Sequence, residues 1–174
     1  MLTRARVVDG ADNAVMDGQA HDESSNPGWD SAVLPTNDDE LRAFAAQFFG
    51  DAEVLAAALR GGPHPRDTPG FSGEPASLLD RLIDERPEQA WPLVTELIER
   101  APTDDSLGYV GAGPLEDLVQ QHGAVFADRI VERAQLDSRW RSALRHVWGW
   151  EVVSEPFRRR IYAVLEVPSG MERR

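Results

Sequence analysis

Apolar residues recur at helical spacing through most of the chain from residue 37 onward, and this pattern constrains the fold most strongly. The first such stripe consists of Leu41, Phe44, Ala45 and Phe48, which share one face of a helix. Asn37 precedes this stripe as a suitable N-cap, and Glu40 three residues later completes a capping box. Almost no segment alternates apolar and polar residues as a half-buried strand does. The pattern therefore predicts an all-α protein.

Glycine, proline and capping residues predict where the helices begin and end. Gly50 is expected to end the first helix, and Asp51 is expected to cap a second one that ends at the two glycines 61–62. A Pro- and Gly-rich loop follows. The next helix is expected to end just before Pro87, and another is expected to begin at Pro87. The segment 101–110 is expected to be a link. Four later helices are predicted at about 114–122, 124–135, 138–148 and 155–166, the last capped by Ser154.

Two segments of the chain, 78–105 and 114–138, are similar in sequence. LLDRLIDERP (78–87) resembles PLEDLVQQHG (114–123), and ELIERAPTDD (96–105) resembles RIVERAQLDS (129–138). Each unit would be a short helix, a Pro or Gly corner and a longer amphipathic helix, which is typical of HEAT-like helical-hairpin repeats. The alternative is chance similarity between acidic amphipathic helices. Either interpretation favours stacked antiparallel helices.

The domain organisation predicted from these patterns is simple. Residues 1–35 lack sustained periodicity and are rich in acids and turn formers, so we expect a flexible acidic tail. Residues 36–168 form the expected single helical domain, and 169–174 form a C-terminal tail.

Composition excludes several chemistries. The chain has no cysteine, which excludes disulfides, thiolate nucleophiles and cysteine metal sites and fits a reducing compartment. It also has no lysine, because all 18 basic residues are arginine, so a Walker lysine and a Schiff-base lysine are excluded. We expect no cofactor and no bound metal, since the acidic pairs lack the calcium-loop pattern and the four histidines show no zinc-binding spacing.

Charge and hydropathy indicate which partners and which location to expect. The net charge is −12; residues 76–137 hold 13 acids and 5 arginines, whereas residues 138–174 hold 4 acids and 8 arginines. An acidic body repels phosphates, so we expect no nucleic-acid binding. No apolar run approaches the roughly 18–20 residues that span a bilayer, and the first residues lack the apolar core of a signal peptide. We therefore expect no membrane association and a cytoplasmic location.

Residues 111–118 read GAGPLEDL, which invites comparison with a phosphate-binding loop. The dinucleotide-binding pattern requires a third glycine and the P-loop requires a lysine, and this stretch has neither. Glu116 and Asp117 would also occupy the positive end of the helix dipole, where a phosphate would otherwise bind. A helix start explains every residue: Gly113 is the cap, Pro114 is the first helical residue and Glu116 is the third.

A wider motif includes this stretch. GAGPLEDLVQQHG, an amphipathic helix, DSRWRSAL (137–144) and VWG (147–149) together resemble an uncharacterised bacterial helical domain family, a domain of unknown function with an A-G-P-L-E-D-L-L core. The resemblance covers roughly residues 76–149. It implies a small helical domain and carries no activity, cofactor or partner.

One functional hypothesis is an enzyme. Glu116, Asp117 and His122 could form a carboxylate–histidine site of a small hydrolase or metal-dependent enzyme. Residues separated by five or six positions share a helix face poorly, so such a site would need a bend in the helix. Capping of a helix that ends before Gly123 is the alternative role for His122.

The favoured hypothesis is a non-enzymatic protein-binding module. Arginine and tryptophan are abundant at interface hot spots, and they alternate near the C-terminus, where Arg141, Arg145 and Trp150 are the candidate partner-binding residues. Trp140 and Trp148 fall on one face of the predicted helix 138–148 and are expected in the core. An acidic surface would suit a basic protein partner, as in an immunity-like or regulatory adaptor of a bacterial cytoplasm.

Overall fold

The computed structural model describes residues 34–166, and seven α-helices account for most of that part of the chain. They are α1 (Asp38–Leu59), α2 (Glu74–Glu85), α3 (Pro87–Arg100), α4 (Asp104–Gly111), α5 (Pro114–Leu136), α6 (Ser138–Leu144) and α7 (Glu155–Leu165). No strand occurs within these residues, which confirms the all-α prediction. Apart from residues 34 and 35, the expected tails (1–35 and 169–174) lie outside the described residues.

The first helix begins where the capping residues predict. The Asn37 side chain accepts a hydrogen bond from the Glu40 N–H at 3.0 Å, which satisfies one of the unpaired donors of the first turn. The Glu40 carboxylate, however, accepts from the Thr36 N–H at 2.7 Å. The predicted capping box is therefore half correct, because Glu40 reaches one residue further back than Asn37.

The predicted break at Gly50 is wrong, because α1 continues through it to Leu59. Asp51 does not cap a new helix; it is 3% exposed and accepts hydrogen bonds from the Gly73 N–H at 2.8 Å and the Ser72 N–H at 3.2 Å. These bonds tie the loop before α2 to the middle of α1. A buried carboxylate satisfied by loop N–H groups is a tertiary contact that local sequence signals do not show.

The predicted break at Gly123 is also wrong, because α5 is one helix of 23 residues. A Cβ atom at Gly123 would lie 3.0 Å from the Phe157 ring, so this glycine lets α7 pack against α5. His122 accordingly lies inside α5 and does not cap its end. The predicted corner of the second repeat is absent, so the echoing segments do not share one hairpin layout.

Two further boundaries differ from the sequence prediction. The expected link 101–110 contains α4, which Thr103 caps by accepting from the Ser106 N–H at 3.1 Å. Helix α6 ends at Leu144, four residues earlier than predicted, and the chain then turns through Gly149 at φ +67°. Ser154 precedes α7 without a capping hydrogen bond from its side chain.

The core lies among all of these helices and is apolar. The largest fully buried side chains include Trp140, Phe126, Leu97, Leu115, Leu118, Ile130 and Ile161. Trp91 is only partly buried, and its ring stacks on Phe126 with centroids 5.2 Å apart. None of the helices in residues 34–166 is both long enough and apolar enough to cross a membrane.

Candidate functional site

The stretch GAGPLEDL forms a close helix contact followed by a helix start. A Cβ atom at Gly111 would lie 2.3 Å from the Ala143 carbonyl oxygen, so this glycine allows the end of α4 to lie against α6. Gly113 is the N-cap of α5, and Pro114 opens the helix, as predicted. Leu115 and the Leu three residues later are fully buried. The residues of this stretch are therefore used in packing.

Glu116 and Gln120 hold the backbone of one distant residue, Trp148. The Trp148 N–H donates to Glu116 Oε2 at 2.6 Å, and its carbonyl oxygen accepts from Gln120 Nε2 at 3.0 Å. The two side chains lie one turn apart on α5 and share a face. A Cβ atom at Gly149 would lie 2.6 Å from Gln120 Nε2. We call the contacts of Glu116 and Gln120 with Trp148 the backbone clamp.

The clamp presents a large apolar side chain to solvent. The Trp148 side chain is 74% exposed, and nearby in sequence Val152 is 63% exposed. The expectation that Trp148 lies in the core is wrong, whereas Trp140 is fully buried as predicted. Because α6 ends at Leu144, Trp148 lies beyond the helical face on which that expectation depended.

Carboxylates of α2 and α5 gather beside the clamp. Asp117 follows Glu116 directly, and loss of solvent, then the negative charges of Asp80, Glu116 and Asp84, raises its pKa. Loss of solvent, then the charge of Asp84, also raises the pKa of Asp80. No ion pair in residues 34–166 includes Asp80, Asp84 or Asp117. We call these three residues, with Glu116, the acidic cluster.

The three candidate partner-binding residues have different surroundings. Arg141 is 7% exposed, and its guanidinium donates to the Ala134 carbonyl oxygen at 2.8 Å. Arg145 is exposed and donates to the Leu165 carbonyl oxygen at 3.2 Å. Trp150 is partly buried, with its ring centroid 6.2 Å from that of Phe157. The structure therefore does not bring these side chains together on one exposed patch.

The alternative enzyme site is not assembled. Along the continuous helix α5, His122 is rotated from Asp117 and Glu116 by about 140° and 120°, so the three side chains diverge. The Nε2 atom of His122 is enclosed and has no hydrogen-bond partner. No group of three or more potential metal ligands occurs in the part of the chain that the structure describes. We therefore have no geometric support for hydrolysis or metal binding at these residues.

A groove lies between α1 and the end of α3. Arg42, Phe49, Glu53 and Arg100 are among its lining residues. Arg42 and Arg100 both form ion pairs with Asp38. The guanidinium of Arg100 lies 2.8 Å from the Asp38 carboxylate. Since these cations are already paired with carboxylates, the two arginines offer no unmatched positive charge to a ligand.

Comparison with known proteins identifies a family but no function. The model of a family of unknown function, DUF6869, matches residues 73–168, which is more than half of the chain. The chain belongs to the DUF6869 family. No curated protein and no solved structure matches it. The resemblance found in the sequence over 76–149 is thus confirmed as membership of a domain family of unknown function, and the match extends further.

The DUF6869 region contains the clamp, Trp148 and the acidic cluster, whereas α1 lies outside it. The match also includes α7 with its three consecutive arginines. Sequence analysis missed Gln120 as a functional candidate, although its i, i+4 relation to Glu116 was a usable signal. Asp84 could not be recognised from the sequence as a neighbour of Asp117, because only the packing of α2 on α5 brings the two carboxylates near each other.

We expect Glu116→Gln to preserve the clamp and Glu116→Ala to release it. The glutamine side-chain oxygen can still accept from the Trp148 N–H, whereas alanine removes a bond to a charged group worth about 1.5–3 kcal/mol. Hydrogen exchange at the Trp148 amide should therefore accelerate about ten-fold or more in the alanine variant, and only slightly in the glutamine variant. Unchanged exchange in both variants would show that Glu116 does not hold this amide.

Proposed function

We propose that the chain is a non-enzymatic protein-binding module of a bacterial cytoplasm and that Trp148 lies at the centre of its contact surface. The exposure of Trp148 on a fixed backbone is the observation that carries this proposal. An immunity-like or regulatory adaptor with a basic protein partner is the form that the net charge of −12 favours.

Physical reasoning links an exposed, fixed tryptophan to binding. A bare indole exposes apolar area to water, and burying it in a complex recovers roughly 25 cal/mol per Å². The clamp fixes the backbone of Trp148 before any partner arrives, so less conformational entropy is lost on binding. Tryptophan is also enriched among the few residues that dominate interface energies. A protein contact explains both the exposure and the clamp.

The cytoplasmic location is part of the same proposal. A chain without cysteine gains no stabilisation from an oxidising compartment. The acidic character of the chain favours a basic protein over nucleic acid or an anionic membrane surface as the partner. An adaptor in a reducing compartment fits both properties.

The experiment compares two exposed apolar residues. The purified chain, its Trp148→Ala variant and its Leu59→Ala variant are used to capture partners from the native host, and the affinity of the recovered partner is measured by calorimetry. Leu59 is 90% exposed and lies on α1, outside the family match, so it is a matched control. We expect Trp148→Ala to weaken binding about 30-fold, a loss of about 2 kcal/mol, and Leu59→Ala to leave it unchanged.

Two outcomes would overturn the proposal. Equal affinity of Trp148→Ala and the unaltered chain would show that Trp148 is not in the contact. Recovery of no host protein by the unaltered chain under cross-linking would remove the binding function itself. Circular dichroism of all three proteins verifies that neither substitution changes the fold.

A further inference from the structure

We propose that the surface formed by Trp148 and the acidic cluster binds an arginine-rich segment of a basic protein, with an arginine guanidinium stacked on the indole and hydrogen-bonded to the carboxylates. This inference rests on the proposed function and names the chemistry of the partner at the same surface. The occupant is a protein segment, since the chain as a whole repels nucleic acid.

Within residues 34–166, no ion pair joins an arginine to Asp80, Asp84 or Asp117. Only groups that raise the pKa act on Asp80 and Asp117, and no arginine lowers either value. Arg129 on α5 pairs with Glu88 at 2.7 Å, and Arg160 on α7 pairs with Asp128 at 2.8 Å, so these two cations are paired outside the cluster. The surface therefore carries negative charge that a partner can complement.

The acidic cluster meets the backbone of Trp148 through Glu116. Its Oε2 atom lies 2.6 Å from the Trp148 nitrogen, and Asp117 is the next residue on α5. The charges of Asp80 and Asp84 act on Asp117 across the contact between α2 and α5. From the exposure of Trp148 and its contact with Glu116, we infer that the indole and these carboxylates form one contact surface.

A guanidinium matches both parts of this region. It is planar and weakly hydrated, so it stacks on an indole while its N–H fork remains available to carboxylates. Indole is the most favourable aromatic partner for such a cation, and Arg–carboxylate pairs are often bidentate. A lysine ammonium supplies the charge without the planar fork, so we expect arginine to be preferred.

The negative charges of Asp80 and Asp117 lower the stability of the fold, and this provides a control for the binding experiment. Because the pKa of Asp117 is raised in the fold, its ionisation opposes folding, and stability is lost as pH rises through that folded pKa. The same sign holds for Asp80. Replacing these carboxyls by amides should therefore maintain or slightly raise the melting temperature at neutral pH. A loss of binding in such variants would not result from unfolding.

The test uses a fluorescein-labelled peptide of alternating arginine and glycine, with counterparts that carry citrulline or lysine in place of arginine. Binding is measured by fluorescence anisotropy at about 0.1 M salt, where long-range charge is screened. One triple variant, D80N/D84N/D117N, removes the acidic cluster apart from Glu116. The matched control, E53Q/D67N/E132Q, removes the same number of charges from exposed residues outside any ion pair in the described part of the chain.

We expect the arginine peptide to bind the unaltered chain and to bind the cluster variant and Trp148→Ala about ten-fold more weakly or worse. The control triple variant should lose no more than about two-fold, because long-range charge is screened over about 10 Å at 0.1 M salt. The citrulline peptide should not bind, and the lysine peptide should bind more weakly than the arginine peptide.

Three results would overturn the inference: equal losses in the two triple variants, equal affinity of the lysine and arginine peptides, or no effect of Trp148→Ala. The failure of the proposed function is a separate result. If the host partner depends on Trp148 but the arginine peptide does not bind, the binding module stands and its assigned partner chemistry is wrong. If the host partner is indifferent to Trp148, the contact surface itself is wrong.

Discussion

Gly111→Ala is expected to destabilise the fold by about 1–3 kcal/mol or more, as overpacking of a filled interior does. The added Cβ atom would lie 2.3 Å from the Ala143 carbonyl oxygen and 2.9 Å from the His146 Cβ atom. Neither neighbour is the end of a flexible side chain, so α4 and α6 must move apart. Denaturant unfolding monitored by circular dichroism measures the change.

Gly50→Ala is the matched control, and we expect the opposite sign. Gly50 lies inside α1, and a Cβ atom there would meet nothing within 4 Å. Alanine at an unhindered helix position is more favourable than glycine by about 0.5–1 kcal/mol. A loss of stability at both glycines, or at neither, would contradict the close contact between α4 and α6.

Gly50 and Gly123 show where sequence signals stop being informative. A glycine inside an apolar stripe resembles a helix end, and this led to false breaks at Gly50 and Gly123. Helix propensity is a weak prior that tertiary packing overrides, and here Asp51 and Phe157 supply that packing. Local signals were correct where the cause is local, as at the Asn37 cap and the Pro114 helix start.

The candidate site shows the same division. The sequence pointed to both halves of the clamp as motifs, PLEDL and VWG, but it could not join them, because 32 residues separate Glu116 from Trp148. It also exchanged the roles of two tryptophans: Trp148 is exposed, and Trp150 packs against Phe157 and Tyr162. The cause is the early end of α6. No capping residue near Leu144 indicates in the sequence that the helix ends there.

Trp140→Ala is expected to cost about 3–5 kcal/mol of stability, the range for removing a buried aromatic side chain. Trp140 is fully buried, and its ring centroid lies 5.4 Å from that of Trp91, which in turn stacks on Phe126. Truncation leaves a cavity among these rings. Denaturant unfolding monitored by far-ultraviolet circular dichroism avoids the loss of tryptophan fluorescence that the substitution itself causes.

Two further variants, one at Trp140 and one at Trp148, separate the packing role of Trp140 from other effects of removing a tryptophan. Trp140→Phe should cost far less than alanine, because it retains an aromatic ring and removes an indole N–H that is buried without a hydrogen-bond acceptor. Trp148→Ala should change stability by no more than about 0.5 kcal/mol, as surface substitutions do. If Trp148→Ala proved as costly as Trp140→Ala, Trp148 would be serving the fold, and its exposure would no longer support a binding surface.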